Sequence, residues 1–256
     1  MNINWKKSAL IATDIVLAVY LVLAITAFNS PDEQSNVCNE VKIDIQDDVV
    51  KGFLDVNTVK SQLQHAKLYP LGDLMSDVDV RKIEESLNQN PFVERAQCYK
   101  TQTGRVYISL TQRIPVIRIL SDNGDDYYVD NHGTIMPDTH YASDLVVATG
   151  HIQRRYAERV LSQLGNFLLQ EPLWRSQVEQ VNVLSDGSLE MVPRVGDHVV
   201  YLGQPTGLRR KLSRLEKFYK YGLSQAGWNK YSYINVEFDN QIICKKVKKV
   251  KKLMQK

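Results

Sequence analysis

The stretch from Ser8 to Phe28 constrains this chain more than any other part of its sequence. Its 21 residues carry a single charge, Asp14, and an α-helix needs about 20 apolar residues to cross a bilayer. Lys6 and Lys7 precede the stretch, and acidic residues follow it. Because positive residues favour the cytoplasmic side, we predict a single-pass membrane anchor with residues 1–7 in the cytoplasm and the bulk of the chain outside it.

A cleaved signal peptide is the main alternative to an anchor. The apolar region of a signal peptide usually spans about 7 to 15 residues and ends in a small-x-small cleavage site. The stretch here is longer, and Ile25-Thr26-Ala27 is a poor cleavage site because Ile25 is branched. A retained anchor is therefore favoured. Asp14 either reaches toward the cytoplasmic interface or faces another membrane helix, and both alternatives stay open.

Composition and charge argue against a nucleic-acid-binding body. Apolar residues make up 43% of the chain and charged residues 24%, as in ordinary globular proteins. The net charge is +3, but residues 245–256 contain seven lysines and no acid, and taking these away leaves −4 for the rest. A nucleic-acid-binding domain spreads basic residues over one folded face. We predict a disordered basic tail at 247–256, with binding of its lysines to anionic lipid or wall polymer as the alternative.

No motif in the sequence indicates catalysis, a metal site or a cofactor. The three cysteines cannot all pair within one chain and form no CxxC motif, and the five histidines lack zinc-site spacing. The sequence contains no GxSxG elbow, P-loop or HExxH motif. The run Asp-Asn-His-Gly at 130–133 is explained better by a hairpin turn than by an active site. We therefore predict no catalytic residues, no metal, no cofactor and no small-molecule substrate.

Residues 37–115 show the pattern of a small α+β domain. Apolar and polar residues alternate between Val37 and Gln46, as in a half-buried strand. Asn57 is the predicted N-cap of a first helix, and Asp79 or Asp77 is that of a second. Two strands joined by a tight turn follow. The predicted order is β-α-α-β-β.

From residue 116 to residue 246 the sequence pattern is that of short strands and tight turns around two amphipathic helices, at about 154–170 and 208–223. A last strand is predicted from Tyr231 to Cys244. Such a pattern indicates an α+β domain in which helices pack on a mixed sheet. The predicted organisation is a cytoplasmic N-terminus, a transmembrane helix, a linker, two α+β domains and a tail, at residues 1–7, 8–28, 29–36, 37–115, 116–246 and 247–256.

The last strand is the most informative feature of the second domain. A terminal strand often lies at a sheet edge, where unpaired N–H and C=O groups can accept a strand from another chain. Ile234, Val236 and Phe238 are expected to face the core, and the residues between them to face the other way. The alternative, a strand paired on both sides inside the sheet, is equally compatible with this spacing.

Six motifs follow one another along the chain: Asn-Pro-Phe-Val-Glu-Arg-Ala at 90–96, Ser-Leu-Thr-Gln-Arg-Ile-Pro-Val at 109–116, Tyr-Tyr-Val-Asp-Asn-His-Gly at 127–133, Leu-Val-Val-Ala-Thr-Gly at 145–150, Val-Val-Tyr-Leu-Gly at 199–203 and Tyr-Ile-Asn-Val-Glu-Phe at 233–238. In this order they resemble the bacterial cell-division family FtsQ, called DivIB in Gram-positive bacteria. The anchor and the β-α-α-β-β pattern are similar to that family's transmembrane helix and POTRA domain. Gln112 replaces the family's usual acid, and Lys245 and Lys246 stand where it has an aromatic residue.

This resemblance implies a non-enzymatic scaffold of the divisome in the bacterial cytoplasmic (inner) membrane, enriched at the division septum. It implies partners similar to FtsB and FtsL, captured by strand addition, and a link to septal peptidoglycan synthesis. The alternatives are a membrane-anchored, POTRA-bearing secretion or sensor protein and a cell-wall enzyme. Carried over to this sequence, the partner-binding residues are Ile234, Asn235, Val236, Glu237, Phe238, Asp239, Asn240, Gln241 and Ile242.

Overall fold

The structure, a computed structural model, describes residues 5–28, 36–46, 53–139 and 144–247. The predicted linker, except Asn36, and the predicted tail, except Val247, lie outside these residues. The chain divides into two compact units. The first unit comprises Met1–Asp48 and Leu54–Thr111, and the second comprises Val49–Phe53 and Gln112–Lys256.

The first helix, α1, runs from Trp5 to Phe28 and includes the apolar stretch of the sequence. Of its side chains, those of residues 12–25 are described, and all of these except Ala24 are exposed. Within the described part of the chain, no helix combines the length and the apolar character that a membrane crossing requires.

The β-α-α-β-β order predicted for the first domain is confirmed. The central strand of its three-stranded sheet is β3, and β1 runs parallel to it with Ile43 opposite Ile108. Both helices pack their apolar stripes on the core, which contains Leu63, Leu87 and Ile108. The elements are β1 (Glu40–Gln46), α2 (Val56–His65), α3 (Val80–Asn88), β2 (Val93–Lys100) and β3 (Arg105–Gln112).

The helix caps of this unit were predicted half correctly. Asp79 caps α3, since its carboxylate accepts hydrogen bonds from the amides of Arg81 and Lys82, both at 3.2 Å. The prediction of Asn57 for α2 was wrong, because Asp55 is the cap and accepts from Thr58 N at 2.9 Å. An N-cap needs extended dihedrals, and Asp55 has them with φ −133° and ψ 159°.

The second unit contains a nine-stranded mixed sheet. Its strand order is β12-β11-β10-β9-β8-β7-β4-β5-β6, so that β12 and β6 lie at the two edges. Neighbouring strands pair parallel at β4–β7, β7–β8 and β10–β11. The strands are β4 (Pro115–Ser121), β5 (Asp126–Asp130), β6 (Ile135–Pro137), β7 (Val147–Gly150), β8 (Val178–Val183), β9 (Leu189–Pro193), β10 (Val199–Gly203), β11 (Tyr231–Asn235) and β12 (Ile243–Lys246).

Both amphipathic helices predicted for this domain are present, and each contains a π-helical turn. The sequence prediction missed one short helix, which begins at Pro172; proline is favoured at the first helical position. The apolar side chains of these helices share one core with the sheet. The segments are α4 (Arg154–Tyr156), the π-turn Ala157–Leu161, α5 (Ser162–Gln170), α6 (Pro172–Gln177), α7 (Leu208–Phe218), the π-turn Tyr219–Leu223 and α8 (Ser224–Ala226).

Candidate functional site

The segment predicted as one closing strand is a hairpin of two strands. β11 ends at Asn235, the chain turns over residues 236–242, and β12 returns antiparallel with Asn235 opposite Ile243. β11 also pairs with β10 on its other side. The prediction of one continuous strand from Tyr231 to Cys244 was therefore wrong. Within that segment β11 is flanked on both sides by its own chain, whereas β12 lies at the edge of the sheet.

The first three predicted partner-binding residues belong to the interior of the sheet. Ile234 lies opposite Val200 of β10, and its side chain is buried. Val236 is also buried, and its amide donates to Tyr201 O at 3.0 Å. Asn235 lies between them in β11. Since these main-chain groups already serve the protein's own ladder, Ile234, Asn235 and Val236 do not offer an edge to another strand.

The remaining predicted residues form the connection between the two strands. Asn235 Oδ1 accepts from Glu237 N at 2.8 Å, which turns the chain away from the ladder. Asn240 has φ +63°, a value that asparagine tolerates better than most residues. Phe238 was expected to face the core but is 48% exposed. This connection, residues 236–242, is called the hairpin loop below and also contains Asp239, Gln241 and Ile242.

Arg214 of α7 binds the hairpin loop at two points, and Arg210 Nη1 of the same helix lies 3.9 Å from Asp239 Oδ2. Arg214 Nη2 donates to Val236 O at 2.7 Å, and Arg214 Nη1 lies 3.4 Å from Asp239 Oδ1. The Arg214 side chain is mostly buried, so water screens its bond to the Val236 carbonyl less than it screens a surface ion pair, whereas the Asp239 carboxylate is exposed. Arg214 therefore fixes both the beginning and the middle of the loop.

A cavity of about 500 Å³ lies between the end of α7, the following π-turn and the hairpin loop. Lys217 and Tyr221 line it from the helical side, and Gln241 and Ile242 line it from the loop. Tyr221 is strongly exposed, as is Phe238 in the loop. Exposed aromatic side chains beside a cavity are typical of surfaces that bind another protein.

The open edge of the hairpin is β12. Among the described residues, β11 is its one neighbour in the sheet. Val247 N donates to Lys230 O, on the β11 side. Because the amides of a strand point alternately to its two sides, the amides of Cys244 and Lys246 point away from β11. Ile243, Lys245 and Lys246 present exposed side chains along this edge.

The candidate catalytic turn has a structural role. Asp130 is buried and pairs with Arg113 Nη1 at 2.6 Å. Asp130 Oδ1 also accepts from the amides of His132 and Thr134, at 2.9 and 2.6 Å. The carboxylate thus holds the hairpin turn between β5 and β6. In the described ranges, no group of three His, Cys, Asp or Glu side chains could hold a metal ion.

Family comparison agrees with this architecture. The family model described as FtsQ/DivIB, C-terminal related, matches residues 114–245, which is just over half of the chain and includes most of the hairpin. The chain belongs to the FtsQ/DivIB family. A POTRA-like domain model matches residues 36–111, and a search of curated proteins finds no match. FtsQ/DivIB membership indicates a role as a cell-division scaffold with protein partners.

Sequence reasoning missed the edge strand of this FtsQ/DivIB protein, although a signal for it exists. Asp239-Asn240 is a turn dipeptide inside the segment that was predicted to be a continuous strand. A break there leaves Ile243 to Lys246 as a separate short strand, as the structure has it.

Proposed function

We propose that this chain is a non-enzymatic scaffold of the bacterial division machinery that captures partners by adding one of their strands to β12. The partners are FtsB/FtsL-like division proteins, and the assembly links them to septal peptidoglycan synthesis. Membership of the FtsQ/DivIB family supports the division role. The observation that carries the mode of binding is the single-neighbour edge of β12.

Strand addition at β12 uses two outward amides, those of Cys244 and Lys246, together with the carbonyls beside them. Each main-chain hydrogen bond contributes about 0.5 to 1.5 kcal/mol net, so the short edge gives register and direction but limited affinity. The hairpin loop supplies the rest. Phe238 and Tyr221, both exposed, bury apolar surface against the partner. The proposed site is thus Ile243 to Lys246 together with Glu237 to Ile242.

The charge of the edge indicates the kind of strand that fits it. Lys245 and Lys246 are exposed on β12, so acidic residues opposite them stabilise the pair and basic residues destabilise it. Partner capture is therefore expected to weaken as salt concentration rises, since these charges lie at the surface.

We propose further that α1 anchors the scaffold in the cytoplasmic membrane, with residues 1–7 inside the cell and the two units outside. The support is the apolar stretch Ser8 to Phe28 and its single charge. Full-length protein is expected to stay in membranes during an alkaline carbonate wash and to dissolve in detergent. Protease added to spheroplasts is expected to remove both units. Release by carbonate, or protection from protease, contradicts the anchor or its orientation.

The decisive experiment is co-purification of the full-length chain from detergent extracts, with partners identified by mass. Lys246→Pro removes an outward donor of β12, whereas Lys246→Ala removes the same side chain and keeps the donor. We expect partner capture to be lost with proline and largely kept with alanine. Capture at the original level by Lys246→Pro, with folding verified by circular dichroism, rejects strand addition at β12.

The loop is tested by a second matched pair. Phe238→Asp places a charge in the proposed contact, and Leu173→Asp places one on α6, where Leu173 is also exposed. Capture is expected to fall at least about tenfold for Phe238→Asp, which corresponds to about 1.4 kcal/mol, and to persist for Leu173→Asp. Equal losses for the two variants contradict a contact at Phe238.

A further inference from the structure

The POTRA-like unit has two sheet edges, and one of them is sealed by its own helix. Cys98 N donates to Glu84 Oε1 at 2.7 Å, and Ala96 N donates to Asn88 Oδ1 at 3.0 Å. Both acceptors lie on α3, and both donors lie on the edge strand β2. Side chains that occupy the outward amides of an edge strand prevent another strand from pairing there.

The opposite edge, β1, is open. In the described part of the chain, β3 is its one neighbour in the sheet, through Glu40 to Gln46. Its burial alternates along the strand. Val41, Ile43 and Ile45 pack partly against the core, whereas Glu40, Lys42, Asp44 and Gln46 are exposed. An open edge with an apolar side and a charged side is a template for a further strand.

The order of residues along β1 is complementary to itself when two copies run antiparallel. Pairing centred on Ile43 places Lys42 opposite the partner's Asp44, and the two-fold symmetry repeats this ion pair. Val41 then lies opposite the partner's Ile45, and Ile43 lies opposite the partner's Ile43. Opposite charges and branched apolar residues are the cross-strand pairs that stabilise a sheet, and a surface that complements itself gives a two-fold dimer.

We propose that β1 is a self-association edge, at which two copies of this chain join their POTRA-like sheets into one six-stranded sheet. The other edges are less suited to a second copy. Self-pairing at β12 gathers Lys245 and Lys246 of both copies, and like charges facing each other are destabilising. β6 is three residues long and ends in Pro137, which has no amide donor. Charge order therefore selects a second copy as the occupant of β1.

The test is a charge swap in the full-length chain in detergent, with the dimer dissociation constant measured by analytical ultracentrifugation. Lys42→Glu and Asp44→Lys each convert two attractive pairs into repulsive ones. We expect each to raise the dissociation constant at least about tenfold. The double variant Lys42→Glu/Asp44→Lys restores both pairs and the dimer. Arg95→Glu makes the same charge change as Lys42→Glu on the sealed strand β2 and leaves the dimer intact.

If the charge variants fail to fold, cysteine cross-linking tests the same strand pairing independently. Under mild oxidation, Ile43→Cys is expected to give a dimer cross-linked through position 43 of each copy, because this position faces itself. Lys42→Cys faces the partner's Asp44 and is expected to cross-link far less.

Four results overturn the proposal: a chain that sediments only as a monomer, a dimer insensitive to both single reversals, a double variant that stays monomeric, and equal cross-linking at positions 42 and 43. Partner capture at β12 is expected to persist in every one of these variants, since β12 belongs to the other unit.

Discussion

Lys211 and Arg214 lie one turn apart on α7 and bind the carboxyl ends of two neighbouring strands. Lys211 Nζ donates to Leu202 O at 2.8 Å and to Gln204 O at 2.7 Å, at the end of β10, and Arg214 Nη2 donates to Val236 O at 2.7 Å, just beyond β11. β10 and β11 are parallel, so their carboxyl ends lie side by side at the same end of the strands. Lys211 is buried, and this burial lowers the pKa of its ammonium group.

Replacing Arg214 by glutamine is expected to loosen the hairpin loop without unfolding the unit. The Val236 carbonyl loses a charged donor, so the free energy of unfolding falls by about 1 to 2 kcal/mol. Hydrogen exchange measured by mass spectrometry is expected to rise in peptides that cover residues 237–242. Lys217→Gln removes a charge from the same cavity wall and is expected to leave this exchange unchanged. Faster exchange in both variants indicates that the loss of positive charge, and not the loss of the bond to Val236, loosens the loop. Unchanged exchange in Arg214→Gln contradicts the role of Arg214 in holding the loop.

The parts of the fold with strong periodicity were predictable. In β3, alternation of Val106, Ile108 and Leu110 identifies the buried face, because side chains of a strand point alternately to opposite sides. In α3, the spacing of Val80, Ile83 and Leu87 identifies the face that packs on the sheet. Each of these patterns depends only on residues that are close together in sequence, so it can be recognised without knowledge of tertiary contacts.

The hairpin at the candidate site was not predictable from periodicity. Ile234, Val236 and Phe238 alternate as a single strand does, yet β11 ends at Asn235. Two hydrogen bonds end the strand: Asn235 Oδ1 accepts from the amide of Glu237, and Arg214 Nη2 donates to the carbonyl of Val236. The second interaction joins residues 22 positions apart in sequence, and no window along the chain contains that information.

The glycine of the turn between β5 and β6 is expected to be irreplaceable. Gly133 has φ +84°, and a Cβ there would collide with the carbonyl oxygen of Glu158. Gly124 has a similar φ of +90° but open space around it, so Gly124→Ala isolates the backbone strain, about 1 kcal/mol or slightly more. Gly133→Ala is expected to lower the free energy of unfolding by at least about 3 kcal/mol in urea titrations. Equal losses for the two alanine variants contradict the collision.

The protein is expected to become less stable as the pH decreases, and His198 is the cause. This side chain is buried, and its Nε2 lies 2.7 Å from Tyr219 Oη. Burial lowers the pKa of His198, against the opposing effect of the Asp197 carboxylate. The unfolded chain, with a pKa of about 6.5, therefore binds the proton more readily than the folded protein. The stabilising contribution is complete above about pH 6.5 and is lost as the pH falls below it.

Urea titrations at a series of pH values test this dependence. His198→Gln is expected to reduce the loss of stability below about pH 6.5, because it removes the group that must stay neutral in the folded state. A profile that is identical for the unmodified chain and His198→Gln assigns the pH dependence to other groups.

The three cysteines give an internal probe of the β12 edge. Cys38 and Cys98 are buried, and burial raises the pKa of Cys98 to about 12, so little thiolate forms near neutral pH. Cys244 lies on β12 and is partly accessible. Maleimide labelling followed by mass spectrometry is expected to modify Cys244 in the native protein and the other two only after unfolding.

Partner capture is expected to slow labelling of Cys244, because an added strand covers the outer side of β12. The matched comparison is Lys246→Pro, in which the same partner is expected to give no protection. If captured partner leaves the Cys244 labelling rate unchanged, the partner occupies another surface. If Lys246→Pro still protects the thiol, main-chain pairing at Lys246 is unnecessary, and the hairpin loop alone holds the partner.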